Sequence, residues 1–411
     1  MLASGAGAMN RGGGSLARRK SGLMVWDLGV RLFHWALVIS FALAAYTGFL
    51  GPRNWLNLHL IAGIAAGALV IFRLVWGWLG SRYARFHSFP LSPAAMKAHL
   101  AAIIAEYRQA EQRHPGSQRL GAPPRHHPEA GHNPLGAAMV YALLLAIALT
   151  VLTGAVALGG VVKQGPLAFL VSFDLGLLIR DLHQVLAIAL LCMVGAHLAG
   201  VIFESRREKI NLAAAMITGR KPIPGAATPE PHQAARPGMA AIVLLVLAAA
   251  IVPATIALAR LPGRGVPPAT LDPIYAKECG ACHFAYPPSL APAAVWISMM
   301  EGLDRHFGEN ADLDATTAAH IRDYLTANAA EKWDTRPAHL FRQRDPADPL
   351  RITATPFWQR LHRQLPEALF KLPAVGAKGA CNACHRDAGT GRFDPQSILV
   401  PPILVPTEAR P

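Results

Sequence analysis

Five long apolar runs, separated by stretches rich in Pro, Gly, Arg and Lys, set the pattern of this chain. They fall at about Val30–Leu50, Leu56–Leu79, Leu135–Leu158, Leu182–Phe203 and Met239–Ala259. Each is long enough to cross a bilayer, because ~20 residues at ~1.5 Å rise cover a hydrocarbon core of ~30 Å. The first run is too long for a cleaved signal region and lacks a cleavage site, so it reads as an uncleaved anchor. Beyond Thr270 the chain is too polar to span a membrane, and short helical patterns alternate with Pro turns. One such pattern predicts a helix over Asp314–Asn328 with Asp314 as its N-cap. The expected fold is all-α. A membrane four-helix bundle leads to a fifth transmembrane helix and then to a small, mostly helical soluble domain.

The expected organisation is a disordered cytoplasmic leader over 1–22, a membrane domain over 23–220, and a linker over 221–237. The fifth helix follows over 238–260, a second linker over 261–269, and the soluble domain over 270–411. Basic residues decide the orientation. The leader carries Arg11, Arg18, Arg19 and Lys20, and the long connections 81–134 and 204–238 carry seven and six more. The intervening connections hold only Arg53, and Lys163 with Arg180. The expected amino terminus is therefore cytoplasmic, and everything beyond Arg260 lies outside the cytoplasm. The net charge of +14 is spread over alternating loops, a topology signal and not the concentrated patch of a nucleic-acid binder. With 52% hydrophobic residues and a positive mean hydropathy, the composition argues against a purely soluble protein.

The spans contain His34, His59, His183 and His197. Polar rings at such depth are costly and mark function more often than packing, although interhelical hydrogen bonds alone could satisfy them. His183 and His197 leave one helix on nearly the same face, roughly 21 Å apart along its axis. Depth then pairs His34 with His197 near the cytoplasmic face, and His59 with His183 near the outer face. A bis-imidazole site in each leaflet suits two non-covalent b haems, since haem iron takes one neutral nitrogen from each side. Zinc wants four protein ligands and is poorly served. Gly63, Gly67, Gly154 and Gly195 fit close helix or haem approach equally well. Arg31, Arg73 and Arg180 could pair with haem propionates or snorkel to the interface.

Of five cysteines, four form two Cys-x-x-Cys-His units, Cys279–Cys282–His283 and Cys381–Cys384–His385. The fifth, Cys192, is expected to be a small buried apolar residue. Two thiols three apart can bond the vinyl groups of one haem, with the next His on the iron. A single zinc site built from both Cys pairs would leave His283 and His385 without a role. Two covalent c haems are therefore expected, with His306, His320, His339, His362, Met299 and Met300 as candidates for the remaining iron ligands. His114, His126, His127 and His132 lie among prolines and read as a solvated loop.

The segments VWDLGVRLFHW, LHLIAG, IFRLVWGWLGSRYARF and DLHQVLAIALLCMVGAHL resemble the bacterial cytochrome b561 family, which includes the b-type subunits of nickel-iron hydrogenases. The resemblance spans Gly22–Arg220 and implies a four-helix, two-haem, quinone-linked electron carrier. All four membrane histidines fall on its ligand positions. The segments YAKECGACHFAYPPSLAP, HFGENADLD, TATPFWQRLHRQLP and KGACNACHRDAGTGRFDPQSILVP resemble the periplasmic dihaem cytochrome c family over Asp272–Pro402. That resemblance implies His306 and His362 as the second ligands, and surface or supporting roles for His320 and His339.

Three functions fit. The first is a redox relay in the bacterial inner membrane between the quinone pool and a periplasmic redox protein such as a small cytochrome c. The second is a haem enzyme acting on oxygen, superoxide or a nitrogen oxide at an open iron. The third is a membrane anchor subunit of a larger oxidoreductase. Eight protein ligands for four haems favour the relay, because six-coordinate bis-His iron transfers electrons without binding substrate.

Overall fold

A computed structural model describes residues 22–52, 55–111, 131–222 and 234–401. The leader up to residue 21, His114, His126 and His127 of the central loop, Arg53, most of the linker 221–237 and the last ten residues lie outside the described residues.

Strand β1 (Leu23–Met24) leads into α1 (Leu28–Phe49). Next come α2 (Leu56–Leu79), α3 (Pro93–Glu111), α4 (Pro134–Ala157), α5 (Phe173–Glu208) and α6 (Leu212–Thr218). Strand β2 (Arg220–Lys221) returns antiparallel to β1, and α7 (Pro237–Ala259) follows. The soluble region contributes α8 (Pro273–Cys279), α9 (Ala293–Glu301), α10 (Ala315–Ala327), α11 (Arg336–Leu340), α12 (Pro356–His362) and α13 (Glu367–Phe370). Asp314 caps α10 through the N–H groups of Thr316 and Thr317.

Five helices are long and apolar enough to cross a membrane: α1, α2, α4 with its π-helical extension to Val162, α5 and α7. Their outward surfaces are apolar, with Leu32, Ile39, Ile64, Trp78, Leu152 and Leu178 all exposed. In water such a surface would be a severe aggregation hazard, whereas acyl chains match it. Helix α7 buries only Ala240, the behaviour of a span with lipid on nearly every side. Cys192 is exposed on α5, not buried as expected, because that stripe of the helix meets hydrocarbon and not protein. Helix α5 also begins ten residues ahead of His183, at Phe173, so that histidine does not open the helix.

Contacts divide the chain into two compact units. The first comprises residues 1–42, 64–149 and 186–249. Its core gathers Val25, Trp26, Val30, Ala84 and Ala215. Asp27 is its main polar junction. One carboxylate oxygen caps α1 at the Val30 N–H (2.8 Å), and the same group accepts from Trp76 Nε1 (3.1 Å) and Ser81 Oγ (2.6 Å) at the end of α2. Arg207 binds both Glu106 of α3 and Glu204 of α5, each at 2.8 Å.

The second unit comprises 43–63, 150–185 and 250–411. One core packs Tyr275, Trp296, Ile321 and Leu325 from α8, α9 and α10, and another packs Leu290, Phe341, Phe357 and Trp358. At the end of α4, residues Leu158–Val162 widen into a π turn that brings Gly160 against Gly176 of α5. A Cβ on Gly160 would fall 2.5 Å from the Gly176 Cα, so only glycine permits this crossing. The turn closes on Lys163, a non-glycine in the left-handed region at φ 59°.

Candidate functional site

Within the second unit, His59 from the first turn of α2 faces His183 of α5, with ring centroids 6.2 Å apart and planes at 80°. The orientation of each ring is fixed from behind. His59 Nδ1 lies 3.0 Å from the Ala44 carbonyl and 3.1 Å from Thr47 Oγ1. His183 Nδ1 lies 2.9 Å from the Thr150 carbonyl and 3.3 Å from Thr153 Oγ1. A carbonyl can only accept, so Nδ1 carries the proton in both rings and the lone pair resides on Nε2.

In the first unit, His34 and His197 are close enough to interact electrostatically, and both are half-buried. His34 Nδ1 is buried without a hydrogen-bond partner. Polar groups without partners recur in this unit. Arg73 is almost fully buried, its guanidinium lies over the Phe86 ring at 4.7 Å, and one of its terminal nitrogens is unpartnered. His132 packs between Trp26 (4.7 Å) and Phe89 (4.5 Å), and its Nδ1 is likewise unpartnered. Burial first, and then Arg73 and Lys221, hold His132 neutral by pushing it down to about 3. The solvated loop expected for His132 is thus corrected. That ring is drawn into an aromatic slot, which desolvates it.

In the soluble region each Cys-x-x-Cys-His unit meets a second histidine. His283 stacks with His306 at 6.0 Å, and His385 meets His362 at 6.2 Å. His283 Nδ1 is 2.9 Å from the Phe284 carbonyl and His362 Nδ1 is 2.9 Å from the Trp358 carbonyl, so in these two rings also Nε2 is the free nitrogen. Trp358 stacks on His362 at 4.4 Å and 15°. Burial, supplemented by the neighbouring imidazole, keeps His306 and His385 below the ordinary histidine range, and burial does the same for His362. Burial raises the Cys279 and Cys381 thiols to about 11.

His320 instead meets Asp272 at 3.1 Å on the surface, and His339 meets Asp334 at 3.0 Å. Met299 and Met300 pack against the Tyr275 core. Among the described residues, no three metal-ligating side chains cluster, so the two Cys pairs do not converge into a zinc cage.

These pairs suit haem on a metric test. Two metal–imidazole bonds of about 2 Å and the two half-rings put the centroids of an iron-bridging pair roughly 6 Å apart. Three pairs stand at 6.0–6.2 Å. Haem brings four nitrogens of its own, so two protein ligands suffice.

A second cluster was invisible in the sequence. Lys163, buried under the π turn, donates to the Val171 carbonyl (3.0 Å) and to Asp334 Oδ2 (2.8 Å). The same carboxylate accepts from the Phe173 N–H (3.0 Å). Around it Arg264 N–H binds the Ala168 carbonyl, Asp334 N–H binds the Gly265 carbonyl, Gln164 binds Asp394, and Arg392 reaches the Lys163 carbonyl. The loop between α4 and α5 and the soluble region are therefore pinned together, and the segment from 261 to 269 is bound into the junction.

Comparisons with known proteins divide the chain along its sequence, not along these two compact units. Residues 25–219 match the model of the prokaryotic cytochrome b561 family, and residues 275–393 match that of the dihaem cytochrome c family. A dihaem cytochrome c purified from Rhodobacter sphaeroides is 35% identical, covering 30% of this chain and 96% of its own, with a TM-score of 0.24. The dihaem cytochrome c of Shewanella baltica OS155 is 34% identical, covering 33% of this chain and 94% of its own, with a TM-score of 0.26. No curated protein matches. The chain thus carries a cytochrome b561 domain followed by a dihaem cytochrome c domain. It is a multi-pass, haem-based transmembrane electron-transfer protein.

Proposed function

We propose that this protein carries electrons between the quinone pool and a periplasmic redox protein, through two b-type and two c-type haems. In this reading the chain sits in the bacterial inner membrane, with its amino terminus in the cytoplasm and residues 270–411 in the periplasm. His34 with His197 and His59 with His183 would hold the b haems. Cys279, Cys282 and His283 with His306, and Cys381, Cys384 and His385 with His362, would hold the c haems. The haems supply one-electron carriers.

The observation that carries the reading is the common separation of three imidazole pairs at 6.0–6.2 Å. Two histidines per iron leave no position for a small substrate, which favours relay over catalysis. The Lys163–Asp334 junction supports the same reading, because it fixes the soluble domain to the loop beside α5, the helix that carries His183.

Quinol should reduce the c haems of the purified protein, and His183→Ala should abolish that reduction while both c haems remain reducible by dithionite. Unchanged quinol reduction in that variant would discard the relay.

A further inference from the structure

His59 and His183 are held by the same device, built twice. Helix α1 ends in Ala44-Ala45-Tyr46-Thr47-Gly48, and α4 carries Thr150-Val151-Leu152-Thr153-Gly154. In each, a carbonyl and the hydroxyl three residues later meet one histidine Nδ1. The hydroxyl hydrogens are already committed to the helix. Thr47 Oγ1 donates to the Leu43 carbonyl (2.7 Å), and Thr153 Oγ1 to the Thr150 carbonyl (3.0 Å). What each threonine offers the ring is an oxygen lone pair. The following glycine lies under the imidazole, where a Cβ would stand 3.2 Å from His59 Cε1 at Gly48 and 3.1 Å from His183 Cε1 at Gly154. That is tighter than ordinary van der Waals contact, so a side chain there would push the ring off its acceptors.

We propose that Thr47–Gly48 and Thr153–Gly154 are positioning residues for the His59–His183 pair. Behind rings whose Nδ1–H tautomer the Ala44 and Thr150 carbonyls fix, they aim each Nε2 at its opposite number and tune the donor strength of both nitrogens. The proposal rests on the reading of His59 and His183 as axial haem ligands. An imidazole whose far N–H is shared with two oxygens is the more basic ligand, and it favours ferric over ferrous iron. The duplication matters, since two helix pairs with connections of different length place one Thr–Gly step behind each ring. His34 lacks the device, its Nδ1 having no partner. It therefore serves as an internal control.

The experiment is redox titration, with low-temperature EPR, of the full-length protein carrying Thr47→Val, Thr153→Val or both. Valine keeps the shape and removes the acceptor. We expect full haem content and a rise in the potential of one b haem. The rise corresponds to a threefold or larger increase in its reduced-to-oxidised ratio at fixed ambient potential, is greater in the double variant, and leaves the other b haem unmoved. Thr→Ser at either position should restore the wild-type value, which a purely packing role would not predict. Gly48→Ala and Gly154→Ala should shift the ferric g-values of the same haem. Val variants with unchanged potentials and g-values would overturn the proposal, and so would equal movement of both b haems. His59→Ala separates the two levels of inference. If it leaves b-haem content intact, the ligand reading fails. If it removes one b haem while the threonine variants are silent, only the positioning role fails.

Discussion

The membrane histidine pairs of the two units stand in different surroundings. In the second unit the rings of the membrane pair are tied from behind, although His385 Nδ1 and two nitrogens of Arg344 in the same unit are buried without partners. His59 and His183 each meet two oxygens, His283 and His362 each meet a carbonyl, and Lys163 meets a carbonyl and a carboxylate. In the first unit Arg73, His132 and His34 are buried with unpartnered nitrogens, and aromatic rings, not oxygens, surround the first two. Ties of the first kind fix ring orientation and protonation before any cofactor arrives. On the proposed ligation, the two b haems are expected to differ in potential through the groups behind their histidines.

The largest effect that could break this contrast is loss of a whole cofactor. His34→Ala should remove one b haem and His59→Ala the other, each leaving about half of the b-type absorbance. Depletion of one spectral species by both variants would erase the distinction between the units. Next in size is the Lys163 junction. Asp334→Ala leaves a buried lysine unpaired, a change worth about 3 kcal/mol of local stability. Limited proteolysis of residues 261–269 should then accelerate strongly, while b-haem spectra stay constant.

Acid probes the same junction more gently. Burial alone would raise Asp334, but hydrogen bonds from Lys163, the Phe173 N–H and His339 outweigh it and bring the carboxyl below its ordinary value. A carboxylate with a depressed folded-state pKa stabilises above its unfolded value of about 3.9, and that contribution is lost as pH falls through the lower folded value. Hydrogen-exchange protection factors around Val171 and Phe173, which remove the intrinsic pH dependence of exchange, should therefore be flat from neutrality to about pH 5 and fall below about pH 4. Asp334→Asn should abolish the dependence. The smallest effect is expected at His132. Neutral and enclosed by aromatic rings, it should tolerate phenylalanine with a loss of about 1 kcal/mol or less. A large shift of the first unit's b haem in His132→Phe would instead show that its nitrogen acts on the cofactor.

Much of this arrangement was legible in the sequence because covalent spacing carries it. The Cys-x-x-Cys-His units and the five apolar runs are local patterns, and the depth of a histidine follows from a count of residues along a span. Other features depend on distance in space. Lys163 and Asp334 are 171 positions apart, and no local pattern announces a left-handed lysine at the end of a π turn. Cys192 was read as buried because apolar composition cannot tell a lipid-facing stripe from a protein-facing one. The start of α5 at Phe173 was missed because its extra turns contain Asp174, Arg180 and Asp181, which lower the apolar signal without breaking the helix. The Thr–Gly steps were visible as residues, yet only the packing of α1 on α2 and α4 on α5 shows that each faces a histidine. Two copies of Thr-Gly near the ends of apolar runs were the available signal.

The π turn has a consequence for speed. A redox domain on a loose tether must find its partner surface by diffusion, and its transfer rate falls as the solvent thickens. Here Lys163 is held at both ends, its ammonium by Asp334 and its carbonyl by Arg392, while Arg264 and Gly265 bind the junction on either side. The soluble domain has no search to perform. Electron exchange across this junction should follow tunnelling distance alone, and glycerol that slows a tethered domain severalfold should leave it unchanged.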